Sequence, residues 1–269
     1  MKRFHQSHVV VIGASAGIGY FCARYFSEEG AHVLLVARRE EILKTIQQEL
    51  PNSTYLVADI SKREDCQKIV SYAQAQWERI DIVVNNAALH HRGAVRTRTA
   101  EELADMVRTN LEAPIYLSRL FLDSLIHSKG VLINVASLAG CIPLANSSTY
   151  SGSKFGLRAF SLALAQEVKE LGVGVCLVSP GPVATSFILD DLDRVSDITL
   201  SQPISSPEDV AKAILGCAIH RRPETKIPKF SGFLSTLGYL FPVLRRLLLP
   251  LLQKKGAKAK EQLRRTHQK

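Results

Sequence analysis

No stretch of this chain offers eighteen uninterrupted apolar residues, so a simple membrane-spanning helix is not expected. The first apolar run, Val9–Ile12, is too short for the core of a signal peptide; it ends in glycine and reads as a strand. Five cysteines (Cys22, Cys66, Cys141, Cys176, Cys217) are scattered with no C-x-x-C pair, which excludes a recognisable disulfide framework or zinc motif and points to a reducing, cytoplasmic setting. No internal repeat and no low-complexity linker occurs before residue 221. Acidic residues are scarce only at the end. Residues 221–269 hold 13 Lys/Arg against 2 Asp/Glu, whereas residues 1–220 hold 21 against 23. The net charge of +9 therefore belongs to a C-terminal extension, 221–269, and not to the body, 1–220.

What is present is an alternation. Short β-branched runs at 8–12, 32–36, 54–58, 81–85, 130–135 and 174–179 are separated by helical patterns near 17–29, 39–50, 62–78, 100–128 and 150–171. Strands apolar throughout and divided by helices belong in a parallel sheet buried on both faces. With right-handed crossovers the expectation is an α/β fold: a single Rossmann-like, doubly wound parallel sheet flanked by helices. At 269 residues, 46% hydrophobic and 22% charged, one such core is affordable.

The first strand runs into "GASAGIG". Small residues in a tight turn at a helix N-terminus let the backbone approach a pyrophosphate, whose charge the free N–H groups and helix dipole favour. Gly13, Ser15, Ala16, Gly17, Ile18 and Gly19 are the candidate contacts, although the G-x-x-x-G-x-G spacing differs from the commoner G-x-G-x-x-G. The second strand ends in Ala37, Arg38 and Arg39. An acid here would bond the ribose hydroxyls of NAD, and an arginine accommodates a 2′-phosphate, so NADP(H) is expected with Arg38 as the leading contact and Arg39 beside it. Asp59 and Ile60, after the third strand, stand where an adenine contact can form.

"YSGSK" places Tyr150 and Lys154 one helical turn apart. A phenol titrating at roughly 10 is a poor acid or base at neutral pH, and a neighbouring ammonium favours its ionised form. The pair suits proton transfer, but five residues alone suit a solvated helix face equally well.

Taken together, these motifs resemble the short-chain dehydrogenase/reductase family across roughly residues 8–220. "GASAGIG" is similar to its cofactor turn, "NNAA" at 85–88 to its N-N-A-G, and "TNLEAP", "NVASLAG" and "YSGSK" carry Asn110, Ser137, Tyr150 and Lys154; "SPGPVAT" is similar to its P-G segment. The resemblance implies hydride transfer between a nicotinamide and a carbonyl or alcohol. Ser137 would donate to the substrate oxygen, and Tyr150 would exchange the proton. Lys154 would lower the Tyr150 pKa and hold the nicotinamide ribose, and Asn110 would hold a relay water. Asn86 and Ala87 would lie near the cofactor, with Asn85 tying strands together. Pro180, Gly181, Val183 and Thr185 would frame the nicotinamide. Ile12 and Ala88 depart mildly from the family pattern.

The resemblance also places a mobile substrate lid at 186–206, where Phe187, Ile188, Leu189 and Leu192 alternate with Asp190, Asp191 and Asp193. His90 and His91, adjacent on an extended segment without a third ligand, are not expected to bind metal, though one can line the cleft. In the extension, helical spacing gathers Leu240, Phe241, Leu244, Leu247, Leu248 and Leu251 on one face, with Pro242 and Pro250 expected to interrupt it. Arg245 and Arg246 would each cost about 2.5–3.5 kcal/mol at the centre of a spanning helix. Lying on the cytoplasmic membrane surface and packing on protein are both open to this segment. Similar tails in the family favour a lipid- or steroid-like ketone. Nucleic-acid binding is not expected, for want of an aromatic platform, and the resemblance implies a homodimer or homotetramer. The competing class is a non-catalytic dinucleotide sensor or scaffold, against which an intact Asn–Ser–Tyr–Lys set argues.

Overall fold

The computed structural model describes residues 2–267. Seven parallel strands form its sheet: β1 (His8–Ile12), β2 (His32–Ala37), β3 (Ser53–Val57), β4 (Ile82–Asn85), β5 (Val131–Val135), β6 (Gly174–Pro180) and β7 (Glu224–Ile227), in the order β3-β2-β1-β4-β5-β6-β7. Alternate strand residues face opposite sides. Val9, Val11, Val33 and Leu35 pack under α1 (Gly17–Glu28), α2 (Glu40–Glu49) and α9 (Pro207–His220). Val10, Ile12, Leu34 and Val36 pack under α3 (Arg63–Gln76), α5 (Ala113–Ser128) and α6 (Ser148–Glu167). Two covered faces explain why the strands read as nearly unbroken apolar runs.

Sequence and structure differ at three places. The single helix expected over 100–128 is α4 (Ala100–Val107), a π turn (Arg108–Glu112) and then α5. Pro114, in the first turn of α5, has no N–H to give Asn110 the next α-helical bond, so the ladder widens there. The long helix expected at 150–171 begins and ends earlier, as α6. The seventh strand was not drawn at all: "ETKI" has one aliphatic residue and is only half-buried. What secures it is Arg158 of α6, whose guanidinium donates to both Glu224 carboxylate oxygens at 2.7 and 3.0 Å.

Strand order reverses between β1 and β4, which opens a crevice at their carboxyl ends. A buried polar chain holds the neighbouring strands in step: Asn85 Nδ2 donates to Asn134 Oδ1 at 2.8 Å, and Asn134 Nδ2 donates to Ser161 Oγ at 2.9 Å. Asn85 thus ties strands together, as expected.

The segment expected as the lid comprises α7 (Ser186–Leu189), a 3-10 turn (Leu192–Arg194) and α8 (Asp197–Leu200). Beyond β7 come α10 (Lys229–Leu240) and α11 (Pro242–His267), divided at Phe241. Pro242 starts α11, and Pro250 lies inside it without ending it. Leu240, Phe241, Leu247 and Leu251 of the anticipated apolar face are 55–72% exposed; the side chain of Leu244 lies outside the described residues. Among the described residues no helix is long and apolar enough to cross a membrane.

Candidate active site

A cavity of about 520 Å³ follows the crevice from the β1–α1 turn to the lid. The expected cofactor residues Gly13, Ser15, Ala16, Gly17, Ile18, Arg38, Arg39, Asp59 and Ile60 line one end, and Asn86, Ala87, Pro180, Gly181, Val183 and Thr185 line its middle. Gly19 is behind the wall. A Cβ there would sit 2.0 Å from the Gly13 carbonyl oxygen and 2.7 Å from Asn86 Nδ2. The missing side chain is what lets Asn86 Nδ2 donate to Gly13 O at 3.1 Å, joining the turn to the strand on the far side of the crevice. Gly13 itself has φ +84°, a left-handed conformation that favours glycine, and its missing Cβ would meet Ala87 at 2.8 Å.

Ala16 caps α1 without a side-chain bond, so the first-turn N–H groups are left to a ligand in the crevice. Arg39 lies over this turn and donates to Ser15 Oγ at 2.9 Å and to Ser15 O at 3.1 Å. Arg38 is exposed, its Nη1 3.9 Å from Asp59 Oδ2. Burial alone would raise the Asp59 carboxyl, but bonds from Ser61 N (3.0 Å) and Ser61 Oγ (2.8 Å), with the Arg38 charge, hold it below the usual carboxylate range.

The other end holds Ser137, Tyr150 and Lys154. Ser137, two residues beyond β5, caps the 3-10 turn Leu138–Gly140, accepting from Ala139 N at 3.1 Å. Tyr150 and Lys154 are 8% and 1% exposed on the cavity side of α6. Burial pushes the phenol above its ordinary value of 10.0, while the neighbouring Ser137 hydroxyl and the Arg92 charge pull the other way. From the sequence that pull is expected of Lys154, whose Nζ donates to Val135 O at 3.0 Å and lies 5.9 Å from the Tyr150 ring centroid, beneath the ring. Asn110, fully buried in the π turn, is just outside the cavity wall. Its Oδ1 accepts from Leu89 N at 2.7 Å and its Nδ2 donates to Leu89 O at 2.8 Å. The amide is committed to holding the 86–90 loop, and Nδ2 also reaches Ser153 Oγ at 3.3 Å.

Over the phenol sit His90, the one of the two adjacent histidines that lines the cleft, and Arg92, which no motif marked. The His90 ring stacks on Tyr150 with centroids 4.0 Å apart and an 11° tilt. Burial, with the nearby Arg92 charge, pushes its pKa down to about 3, so the imidazole is neutral at ordinary pH. Arg92 is 6% exposed; it donates to Phe187 O at 2.8 Å and pairs with Asp191 at 3.3 Å, tying the lid to the β4 loop. These contacts join residues nearly a hundred positions apart, which local spacing cannot reveal. His91 turns away, its Nδ1 3.9 Å from Glu102. Among the described residues no three His, Cys, Asp or Glu side chains could hold a metal ion.

Residues 7–193 match the profile described as short chain dehydrogenase. The chain belongs to that family. Similar proteins include an uncharacterized oxidoreductase, YxnA, of Bacillus subtilis (33% identity, covering 93% of this chain and 73% of that one). Others are L-fucose dehydrogenase of Bos taurus (31%; 78% and 82%) and dehydrogenase/reductase SDR family member 7B of Xenopus laevis (30%; 94% and 83%).

A short-chain dehydrogenase uses a nicotinamide dinucleotide, and the residues present fit one. The uncapped α1 turn offers N–H groups to a pyrophosphate, and the guanidiniums of Arg38 and Arg39 flank the adenosine end. Two buried polar atoms without protein partners, His90 Nε2 and Gln202 Oε1, belong to cavity-lining residues at the other end.

Burial also lowers Lys154 from 10.5 to about 8. The native state therefore sheds this proton more readily than the unfolded chain, and the fold gains stability as pH rises from about 8 to about 10.5. Lys154→Met removes that dependence: denaturant unfolding should show the variant more stable at pH 7 by about 3 kcal/mol, with the advantage shrinking by pH 10. A variant less stable than wild type at pH 7 contradicts this.

Proposed function

We propose that this protein is an NADP(H)-dependent carbonyl reductase, working reversibly as an alcohol dehydrogenase on a hydrophobic, lipid- or steroid-like substrate. The observation that carries the reading is the buried Ser137–Tyr150 pair at the far end of the same cavity that begins with an uncapped helix N-terminus. When bound, the cofactor supplies or accepts the hydride. Ser137 donates a hydrogen bond to the carbonyl oxygen and stabilises its developing charge. Tyr150 gives its proton to that oxygen in reduction and takes it back in oxidation. Burial keeps the phenol protonated and ready to donate, and the Ser137 hydroxyl and Arg92 charge favour the phenolate left behind. Lys154, by family likeness, holds the nicotinamide ribose, and Asn110 keeps the 86–90 loop in place beside it.

Two guanidiniums and no carboxylate at the end of β2 support NADP(H). Support for an apolar substrate comes from Ile142, Leu144, Phe187, Ile188 and Val195, which wall the cavity beyond Tyr150. It also comes from α10, whose polarity is inverted: Ser231, Gly232 and Ser235 are buried while Phe230, Phe233 and Tyr239 are 55–71% exposed. Residues 225–260 contain no Asp or Glu. Exposed aromatics in a stretch rich in cations and without acids of its own suit the face of an anionic bilayer. The reading therefore includes peripheral contact with a cytoplasmic membrane surface. By family likeness it extends to a homodimer or homotetramer, which sedimentation velocity would refute by finding only monomer.

NADPH oxidation against a ketone panel tests the chemistry. Tyr150→Phe should lower kcat about 10²–10⁴-fold with NADPH affinity retained; equal turnover removes Tyr150 from the mechanism, and no turnover of any carbonyl by wild type favours a sensor. Arg38→Ala should weaken NADPH binding about 10–100-fold, since a charge-assisted phosphate contact carries roughly 1.5–3 kcal/mol, and leave NADH binding nearly unchanged. Equal losses for both cofactors count against the NADP assignment. For the bilayer, Phe241→Asp with Leu247→Asp should cut co-sedimentation with anionic vesicles about tenfold, and undiminished binding refutes the contact.

A further inference from the structure

The last helix does not trail away from the body. From Gly256 onward α11 returns to the lid and lies along its outer side. At the crossing a Cβ on Gly256 would stand 1.7 Å from the carbonyl oxygen of Asp197, the first residue of α8. Only a residue without a side chain permits that approach. One turn on, Lys260 Nζ donates to Asp193 O at 2.7 Å and to Val195 O at 2.8 Å, and Asp197 Oδ1 lies 3.9 Å away. Arg264 donates twice to Asp193 Oδ1, at 3.0 and 2.6 Å. Ala259 and Leu263 fill the space between, packed on the small cluster Ile188, Leu192, Val195 and Leu200.

Two members of that cluster, Ile188 and Val195, also line the substrate end of the cavity. One layer of side chains thus separates α11 from a bound substrate. The inner edge of the lid is already held by Arg92 through Phe187 O and Asp191. Its outer edge has only four buried apolar residues of its own, too few to fix a segment of short turns against solvent. Lys260 supplies what is lacking: a cation with three N–H donors, its side chain 13% exposed, bonded to one carbonyl of the 3-10 segment and to one just after it. Such a pair of bonds sets where Val195 stands, and Val195 is part of the wall.

We infer that the C-terminal part of α11 is the outer clasp of the substrate lid, with Lys260 as its positioning residue and Gly256 as the close-approach point that lets the clasp seat. This rests on reading the cavity beyond Tyr150 as the carbonyl site. It makes the shape of that site depend on residues more than sixty positions away, and it assigns the end of the chain a part in substrate selection.

The full-length protein and the variants Lys260→Met, Lys260→Arg and Gly256→Leu test this by two readouts. Hydrogen exchange of the lid amides, 186–200, is measured without substrate, so it does not depend on any activity. Lys260→Met and Gly256→Leu should speed it at least tenfold, Lys260→Arg should stay within about threefold of wild type, and NADPH affinity should hold in all three. With a ketone that wild type reduces, the first two should raise KM about tenfold with kcat changed less than threefold, and Lys260→Arg should restore KM. Unchanged exchange in both disruptive variants overturns the clasp, even if wild type reduces every ketone. Faster exchange with unchanged KM overturns the role in substrate selection. If wild type reduces no carbonyl, exchange alone decides the clasp, and only the catalytic reading falls.

Discussion

A parallel sheet must hide both of its faces, and that requirement arranges everything else in this protein. Helices cover the two faces, so the strand edges and ends are the only places where the backbone can meet a ligand. The reversal of strand order between β1 and β4 leaves two neighbouring strand ends with no helix crossing between them, and Gly13 and Asn86 meet across the gap. The glycines of the first turn are required there by close approach and by a left-handed backbone, both set before any ligand arrives.

Burial governs the far end of the cavity in the same way. A phenol, an amine and an imidazole are all taken out of water within a few ångströms of one another, and each shifts toward its neutral form. For Tyr150 that bias preserves the proton; for His90 it yields an uncharged ring that can stack on the phenol without opposing it. The cost falls on stability, and the surrounding scaffold of Asn85, Asn134, Ser161 and the Asn110–Leu89 pair offsets it with bonds that also fix the loops.

Much of this was legible from the residues. Unbroken apolar runs specified a doubly covered sheet, and small residues between β1 and α1 specified a ligand turn. Ser137, Tyr150 and Lys154 stood in motifs whose spacing matches their meeting in one cavity. What escaped was whatever depends on distant partners. Strand β7 is held by Arg158, a helix residue far away in the chain, and its own four residues carry almost no strand signal. Arg92 bears on the phenol from the loop after β4, and Lys154 bonds Val135 O beneath the ring; helical spacing alone shows neither contact. Pro114 carried the signal for the break before α5, but an apolar periodicity running through it masked the change of ladder. For the tail, composition left a membrane surface and packing on protein both open, and its last three turns fold back onto the body.

The continuity of α11 has a practical consequence. Its greasy first half invites trimming to improve handling in solution, and any cut before Gly256 also discards the segment seated against α8. A shortened preparation that works poorly would then be blamed on lost contact with lipid, although the defect lay in a loosened wall around the reactants. Fusions appended beyond α11 meet the same hazard from the opposite end, since Arg264, in its last turn, holds Asp193.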